Sequence, residues 1–312
     1  MRARRACAQR ERARRLEDRM DRSQKLLHGI DKSMRVLEIG PLFRPVCSRE
    51  DGWNVYSIDH ASEQDLREKY RDHVDVDVSR IERVDFVWRA GPMVDAIPKV
   101  YHGAFDACIA SHVLEHIPDP VAFLRSLAVL LKPGAVIALA VPDKRWCFDF
   151  FRPLSSTAGW LEANRLGLTK HSRATRFEYE TSVVNSDGRV AWGPGPLGTP
   201  SFSGCPIWQS YGVFREQSDP ENEAYVDCHA WCFTPSSFVL IIEELHALGA
   251  VDFRIKHTFP TVEHEFFVIL EQSRERETDV ARMQKRRMRL MLATAREVRE
   301  QLEMLPVHLD LD

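Results

Sequence analysis

The chain has 312 residues, 44% of them hydrophobic and 29% charged, with a formal net charge of −3. Such a composition belongs to a soluble globular protein, with length for one large domain plus extensions or for two small ones. Charge near neutrality argues against a dedicated nucleic-acid binder, and no apolar run reaches the length of a membrane span. The N-terminus lacks the apolar core of a signal peptide, and seven scattered cysteines form no C-x-x-C pair. A reducing, cytoplasmic setting is therefore expected.

Charge is uneven along the chain. Residues 1–25 carry ten Lys or Arg against four Asp or Glu, with Leu16, Met20, Leu26 and Leu27 as sparse apolar positions, which predicts a basic helix over 1–32. The run Arg35-Val36-Leu37-Glu38-Ile39-Gly40 predicts a strand ending in a glycine turn, and Trp53 to Ile58 a second strand ending at Asp59-His60. An acid at that place is suited to accept hydrogen bonds from ribose hydroxyls in a doubly wound sheet. A dinucleotide fingerprint is missing, because only Gly40 remains and Pro41 and Pro45 remove backbone donors from the loop. The loop suits a ligand with an adenosyl group and no diphosphate.

Ser62 to Tyr70 reads as a helix, His73 to Val78 as either strand or loop, and Arg83 to Trp88 as a third strand containing Asp85 and Phe86. Phe105 to Ala110 is a short apolar strand, followed by Ser111-His112-Val113-Leu114-Glu115-His116. Pro118-Asp119-Pro120 opens a helix running through Leu131, Lys132-Pro133-Gly134 closes it, and Ala135 to Val141 is a fifth strand. Uninterrupted apolar strands separated by helices indicate a parallel sheet covered on both faces, an α/β fold.

Residues 143–230 break that rhythm with Trp, Arg and Pro-Gly turns and read as an inserted lid. Thr234-Pro235 starts a helix that ends at Gly249, and Val251 to Lys256 and Glu265 to Leu270 close the sheet. The domain proper thus spans 33–271. The remainder, 272–312, contains a long helix over 272–304. Its stripe Met288, Met291, Ala295, Val298 and Leu302 suits packing on the N-terminal helix or a homodimer seam.

A series of blocks in chain order resembles the class I methyltransferases dependent on S-adenosylmethionine (SAM), in the branch often met beside glycosyltransferases. They are Glu38-Ile39-Gly40-Pro41, Asp59, Phe105-Asp106, Val113 to His116 and Leu131 to Gly134, with Val141 to Arg145, Asp227 to Pro235 and Glu265 to Phe267 added by that branch. The resemblance implies a seven-stranded doubly wound sheet with its last strand antiparallel. It also implies that Glu38, Gly40 and Pro41 line the methionine side of SAM and that Asp59, with His60, holds the ribose. Asp85 and Phe86 then stand beside adenine, and Ser111 lies where methionine and substrate meet.

Methyl transfer to a hydroxyl calls for a nearby base, and His116, His229 and His112 are the candidates. Lys144, Arg145, Arg152 and Trp231 are expected to meet the acceptor, a small molecule, saccharide or glycan precursor. The lid aromatics Trp146, Trp160, Trp192, Trp208 and Tyr211 are expected to wall the pocket, or to form lid core. His112-x-x-Glu115-His116 also resembles the Glu-x-x-Glu-His metal site of some O-methyltransferases. The sequence favours no metal, with Glu115 and His116 bonded to the lid, over a divalent ion held by that triplet. Competing readings are an N-methyl or RNA methyltransferase, and a silent methyltransferase-fold scaffold acting through its terminal helices.

Overall fold

The computed structural model describes residues 20–216 and 225–306; the basic stretch before Met20, with Leu16, lies outside them. In chain order the elements are α1 (Arg22–Leu26), β1 (Val36–Ile39), β2 (Val55–Asp59), α2 (Glu63–Lys69), β3 (Phe86–Val87), β4 (Phe105–Ser111), α3 (Pro120–Leu130) and β5 (Leu131–Pro142). The insertion supplies α4 (Thr157–Leu166), α5 (Arg173–Ser182), β6 (Val184–Ser186), β7 (Pro200–Phe202) and α6 (Ile207–Arg215). Then come α7 (Pro235–Ala247), β8 (Phe253–Val262), β9 (Glu265–Gln272) and α8 (Val280–Glu303).

Seven strands form one sheet in the order β3-β2-β1-β4-β5-β9-β8. The first five run parallel, and β9 inserts antiparallel between β5 and β8. This is the α/β architecture expected, with the last strand reversed. Side chains alternate between two cores. Leu37, Cys108, Ala110, Ile137, Leu139 and Val268 face the core capped by α3 and α7, while Val36, Ile109, Ala138, Phe267 and Ile269 face the other, where α1 adds Leu26. Because both faces are covered, these strands read as unbroken apolar runs in the sequence.

Boundaries differ where local chemistry overrides the pattern. The third strand shrinks to two residues because Asp85 is drawn into an ionic cluster at the strand's start. His73 to Val78 is loop and turn, with a short 3-10 turn at Val78–Arg80 capped by Asp77. The fifth strand begins earlier than expected, since Leu131 already pairs with Phe105.

Among the described residues the tail helix packs on α7. Arg286 and Arg287 pair with Glu243 and Glu244, and Glu297 accepts from the Ser236 backbone and hydroxyl at the start of α7. Gln301 and Glu300 dock on Lys144 and Arg145. Contacts are thus polar, and Met288, Met291 and Leu302 of the expected stripe stay exposed.

Trp160 is fully buried against Trp231, Phe233 and Phe238, which fastens the lid's first helix to α7. Replacing Phe238 with Ala removes the ring that touches Trp160, Phe233 and Phe266 together. It should cost about 3–5 kcal/mol, read as a lower urea midpoint.

Candidate active site at the carboxyl edge of the sheet

Parallel pairing aligns Ile39 with Ile58 and with Ala110, and Ser111 with Ala140. The segments after β1, β2 and β4 therefore leave the sheet along one edge, where doubly wound folds bind ligands. Gly40 turns the chain out of β1 at φ +62°, a left-handed conformation that favours glycine, and its N–H bonds Ile58 O at 2.9 Å. A Cβ there would meet only Val113 Cγ2, at 3.6 Å, so the turn is not filled by its own side chains.

Glu38 does not face the ligand edge. It is buried, and its two oxygens accept from the N–H groups of Val46 and Cys47 at 2.6 and 3.0 Å. It pins the loop carrying Pro41 and Pro45 over β1. Burial pushes its carboxyl up to about 7, against the opposing pull of those two donors.

Asp59 lies at the end of β2, and among the described residues only His60 bonds its carboxylate, from backbone N and Nδ1, both at 2.7 Å. Its second oxygen is available to ribose hydroxyls. With the open Gly40 turn beside it, the edge fits an adenosyl group. Asp85 and Phe86 do not serve that edge. Asp85 accepts from Ser57 N and pairs with Arg49 and Arg83, and Phe86 stacks in the core on Tyr56. The end of β3 is Val87, followed by Trp88, which stacks on Phe123.

Beyond Ser111 the chain takes φ +52° at His112, uncommon for a residue with a side chain. It then makes a 3-10 turn at Leu114–His116. Glu115 C=O accepts from Ala230 N at 2.7 Å and Trp231 N at 3.3 Å, and Trp231 Nε1 donates to Ile117 O at 2.6 Å. These bonds bring His229, more than a hundred residues later, against the turn: the His116 and His229 rings meet edge-on with centroids 4.7 Å apart.

Each of the three imidazoles is held by its own carboxylate. His116 Nδ1 lies 2.9 Å from Asp227, His229 Nδ1 2.5 Å from Asp149, and His112 Nε2 2.8 Å from Glu265. Burial disfavours the charged forms of His112 and His116, yet the neighbouring carboxylates outweigh it and raise both. Glu265, despite burial, is held down to about 2 by His112 and Arg22. Arg22 reaches from α1 to bond Glu265 at 2.7 Å and the Ser111 hydroxyl at 2.6 Å.

The expected acceptor-binding cations are committed elsewhere. Lys144 Nζ donates to Phe150 O and Gln301, Arg145 pairs with Asp143 and Glu300, and Arg152 pairs with Asp149 and Glu178. All three are buried and hold the lid and tail helix to β5. Trp160 is core and Trp231 Nε1 is bonded to Ile117 O. Sequence reasoning missed Arg22 and the imidazole-holding roles of Asp227 and Glu265. The last two stand inside quoted blocks, but the pairing partner is far along the chain.

Strand order and edge define a class I methyltransferase fold. The family model described as "Methyltransferase domain" matches residues 8–182, more than half of the chain. The chain belongs to this family, whose members of this fold take their methyl group from SAM.

Among curated relatives, a "Ubiquinone biosynthesis O-methyltransferase" of Xanthomonas campestris pv. campestris (strain B100) is 50% identical over 89 residues, covering 21% of this chain and 37% of the relative. The chain thus matches well under half the length of that relative. Among solved structures, a SAM-dependent methyltransferase from Methanosarcina mazei aligns at 16% identity over 80% of this chain and 98% of that one, TM-score 0.40. The 1,6-didemethyltoxoflavin-N1-methyltransferase of Burkholderia thailandensis, solved with 1,6-didemethyltoxoflavin and S-adenosylhomocysteine, aligns at 12% over 80% and 76%, TM-score 0.38. Scores at that level add nothing to the strand order. No helix among the described residues is long and apolar enough to cross a membrane.

Glu38 gives a test of the loop anchor. Its folded-state value of about 7 exceeds the ordinary 4.5, so its contribution favours folding below pH 4.5 and is lost as pH rises through 7. Between those limits the wild type should lose about 3 kcal/mol relative to Glu38→Gln, read from urea midpoints against pH.

Proposed function

We propose that the protein moves a methyl group from SAM to an acceptor hydroxyl. The observation that carries this reading is the set of three carboxylate-held imidazoles at the end of β4, on the same sheet edge as the Gly40 turn and Asp59. SAM supplies an activated methyl and its own leaving group, so what remains for the protein is positioning and proton removal. Asp59 accepts from the ribose hydroxyls, the Gly40 backbone admits the ligand closely, and Ser111 with Arg22 borders the methionine end.

The acceptor oxygen forms its new bond to carbon as the carbon–sulfur bond breaks. Its proton passes to the Nε2 of an imidazole, His116 or His229, whose Nδ1 lies against Asp227 or Asp149. An O-methyltransferase is favoured over an N-methyltransferase because an unactivated hydroxyl needs such a base and an amine does not. The partial match to curated O-methyltransferases supports the same choice.

A saccharide or glycan precursor is our proposed acceptor class. Support for it narrows to Trp208 and Tyr211, which stay exposed on α6 and offer flat apolar faces with polar edges.

Calorimetric titration should detect SAM and S-adenosylhomocysteine binding to the wild type. Asp59→Ala should weaken SAM by roughly 10- to 100-fold, the loss of charged hydrogen bonds worth about 1.5–3 kcal/mol. His116→Ala should keep SAM affinity and lower kcat by about a hundredfold or more. Incubation of labelled SAM with fractionated cell extracts should place label in a glycan fraction. Label confined to RNA or protein overturns the acceptor class, and absence of any SAM binding leaves only the scaffold reading.

A further inference from the structure

When their rings are neutral, His116 and His229 bring two acceptor nitrogens against the Glu115 carboxylate at the end of β4, with no hydrogen to share. With Nδ1–H of His116 and His229 turned outward to Asp227 and Asp149, each neutral ring presents a bare Nε2 inward, 4.0 Å from Glu115 Oε1. His112 directs Nε2 to Glu265 and leaves Nδ1 3.5 Å from the same oxygen. Glu115 is fully buried, and neither of its oxygens has a hydrogen-bond partner among the described residues. A carboxylate held so, amid lone pairs, is costly unless a cation sits between them.

Three features point to a metal ion as that cation. The ligand-type atoms of Glu115, His116 and His229 all lie within 4.8 Å of one another. Ligands about 2.1 Å from one tetrahedral ion stand about 3.4 Å apart, so the imidazoles need to close on Glu115 by roughly half an ångström. Each imidazole also has its outer nitrogen fixed by a buried or ion-paired acid, which is how proteins orient metal-binding histidines and set their tautomer. Finally, the turn is locked from outside: Glu115 C=O is bonded by Ala230 and Trp231, so the carboxylate and His229 hold their relation without the ion.

We propose that Glu115, His116 and His229 bind one divalent transition-metal ion. Two imidazoles with a single carboxylate select zinc, cobalt, nickel or iron(II); magnesium prefers oxygen ligands and retained waters. The inference rests on the methyl-transfer reading of this edge and deepens it. Such an ion would lower the pKa of a coordinated acceptor hydroxyl, and the histidines would then serve as ligands in place of bases.

The test uses the full chain without an affinity tag, stripped by a chelator and passed through a desalting column. Titration with Co²⁺ should give visible absorption bands that saturate at one ion per chain, and Zn²⁺ should remain at the same ratio in elemental analysis after gel filtration. Glu115→Gln and His229→Ala should each weaken binding at least tenfold, while His73→Ala, an exposed histidine outside the cluster, should bind as the wild type does.

SAM titration of the same samples reports whether each variant is folded, and it separates the two ideas. SAM binding without metal binding sinks the metal site alone. Metal binding without SAM binding keeps the site and removes the methyl-transfer reading. Binding unchanged in both cluster variants, or retention of Mg²⁺ but not Zn²⁺ or Co²⁺, overturns the assignment. So does a wild type that binds no metal, which would leave Glu115 balanced by protons on the imidazoles.

Discussion

The register of β4 between β1 and β5 is the constraint from which the rest follows. Ile39 opposite Ala110, and Ala110 opposite Leu139, bring three parallel strands to the same edge. Parallel strands deliver their carboxyl ends, and the loops that follow, to one side of the sheet. A slip of one residue would exchange the two cores and turn Leu37 and Cys108 toward the face that now takes Val36 and Ile109. The close packing of both faces therefore fixes the position of Gly40, Asp59 and Ser111 far more tightly than their own hydrogen bonds do.

On that edge the electrostatics are arranged by pairs. His112, His116 and His229 near the β4 end are each matched with an acid, and Arg145 and Arg152 beside β5 are matched as well. The outcome differs between the two groups. Arg145 and Arg152 meet their acids with several hydrogen bonds each and hold the lid, so their charge is spent on structure. The histidines use one nitrogen on an acid and keep the other facing Glu115, which leaves them chemically available. A two-nitrogen side chain can be anchored and still present a lone pair, whereas a fully engaged guanidinium cannot.

Terminal helices complete the fold from opposite sides. From α1, Arg22 reaches Ser111 and Glu265, tying the chain's start to the site, while Leu26 enters the second core. α8 lies on α7 through ion pairs and meets Lys144 and Arg145 at its end. Exposed carboxylate–guanidinium pairs contribute little each, so the buried contacts of Gln301 with Lys144 and with Phe150 O are the firmer part of that seam.

The sequence by itself determined the sheet, the edge and the class. Apolar runs at β1, β4 and β5, the lone Gly40, the acid ending β2 and the order of the blocks are local properties, and local patterns survive without knowledge of the fold. It also singled out His112, Glu115, His116 and His229. What it could not determine was which charged groups are free. Lys144, Arg145 and Arg152 read as ligand-binding cations until Gln301, Glu300 and Glu178, distant in sequence, are found beside them. Glu38 read as a ligand contact until the loop folded back to give it two N–H groups. Tertiary structure alone decided that the Glu115 carboxylate has no hydrogen-bond partner among the described residues while three imidazoles face it. The physical reason is that availability depends on the whole set of neighbours, and those neighbours are brought together only by the fold, some of them from segments more than a hundred residues apart.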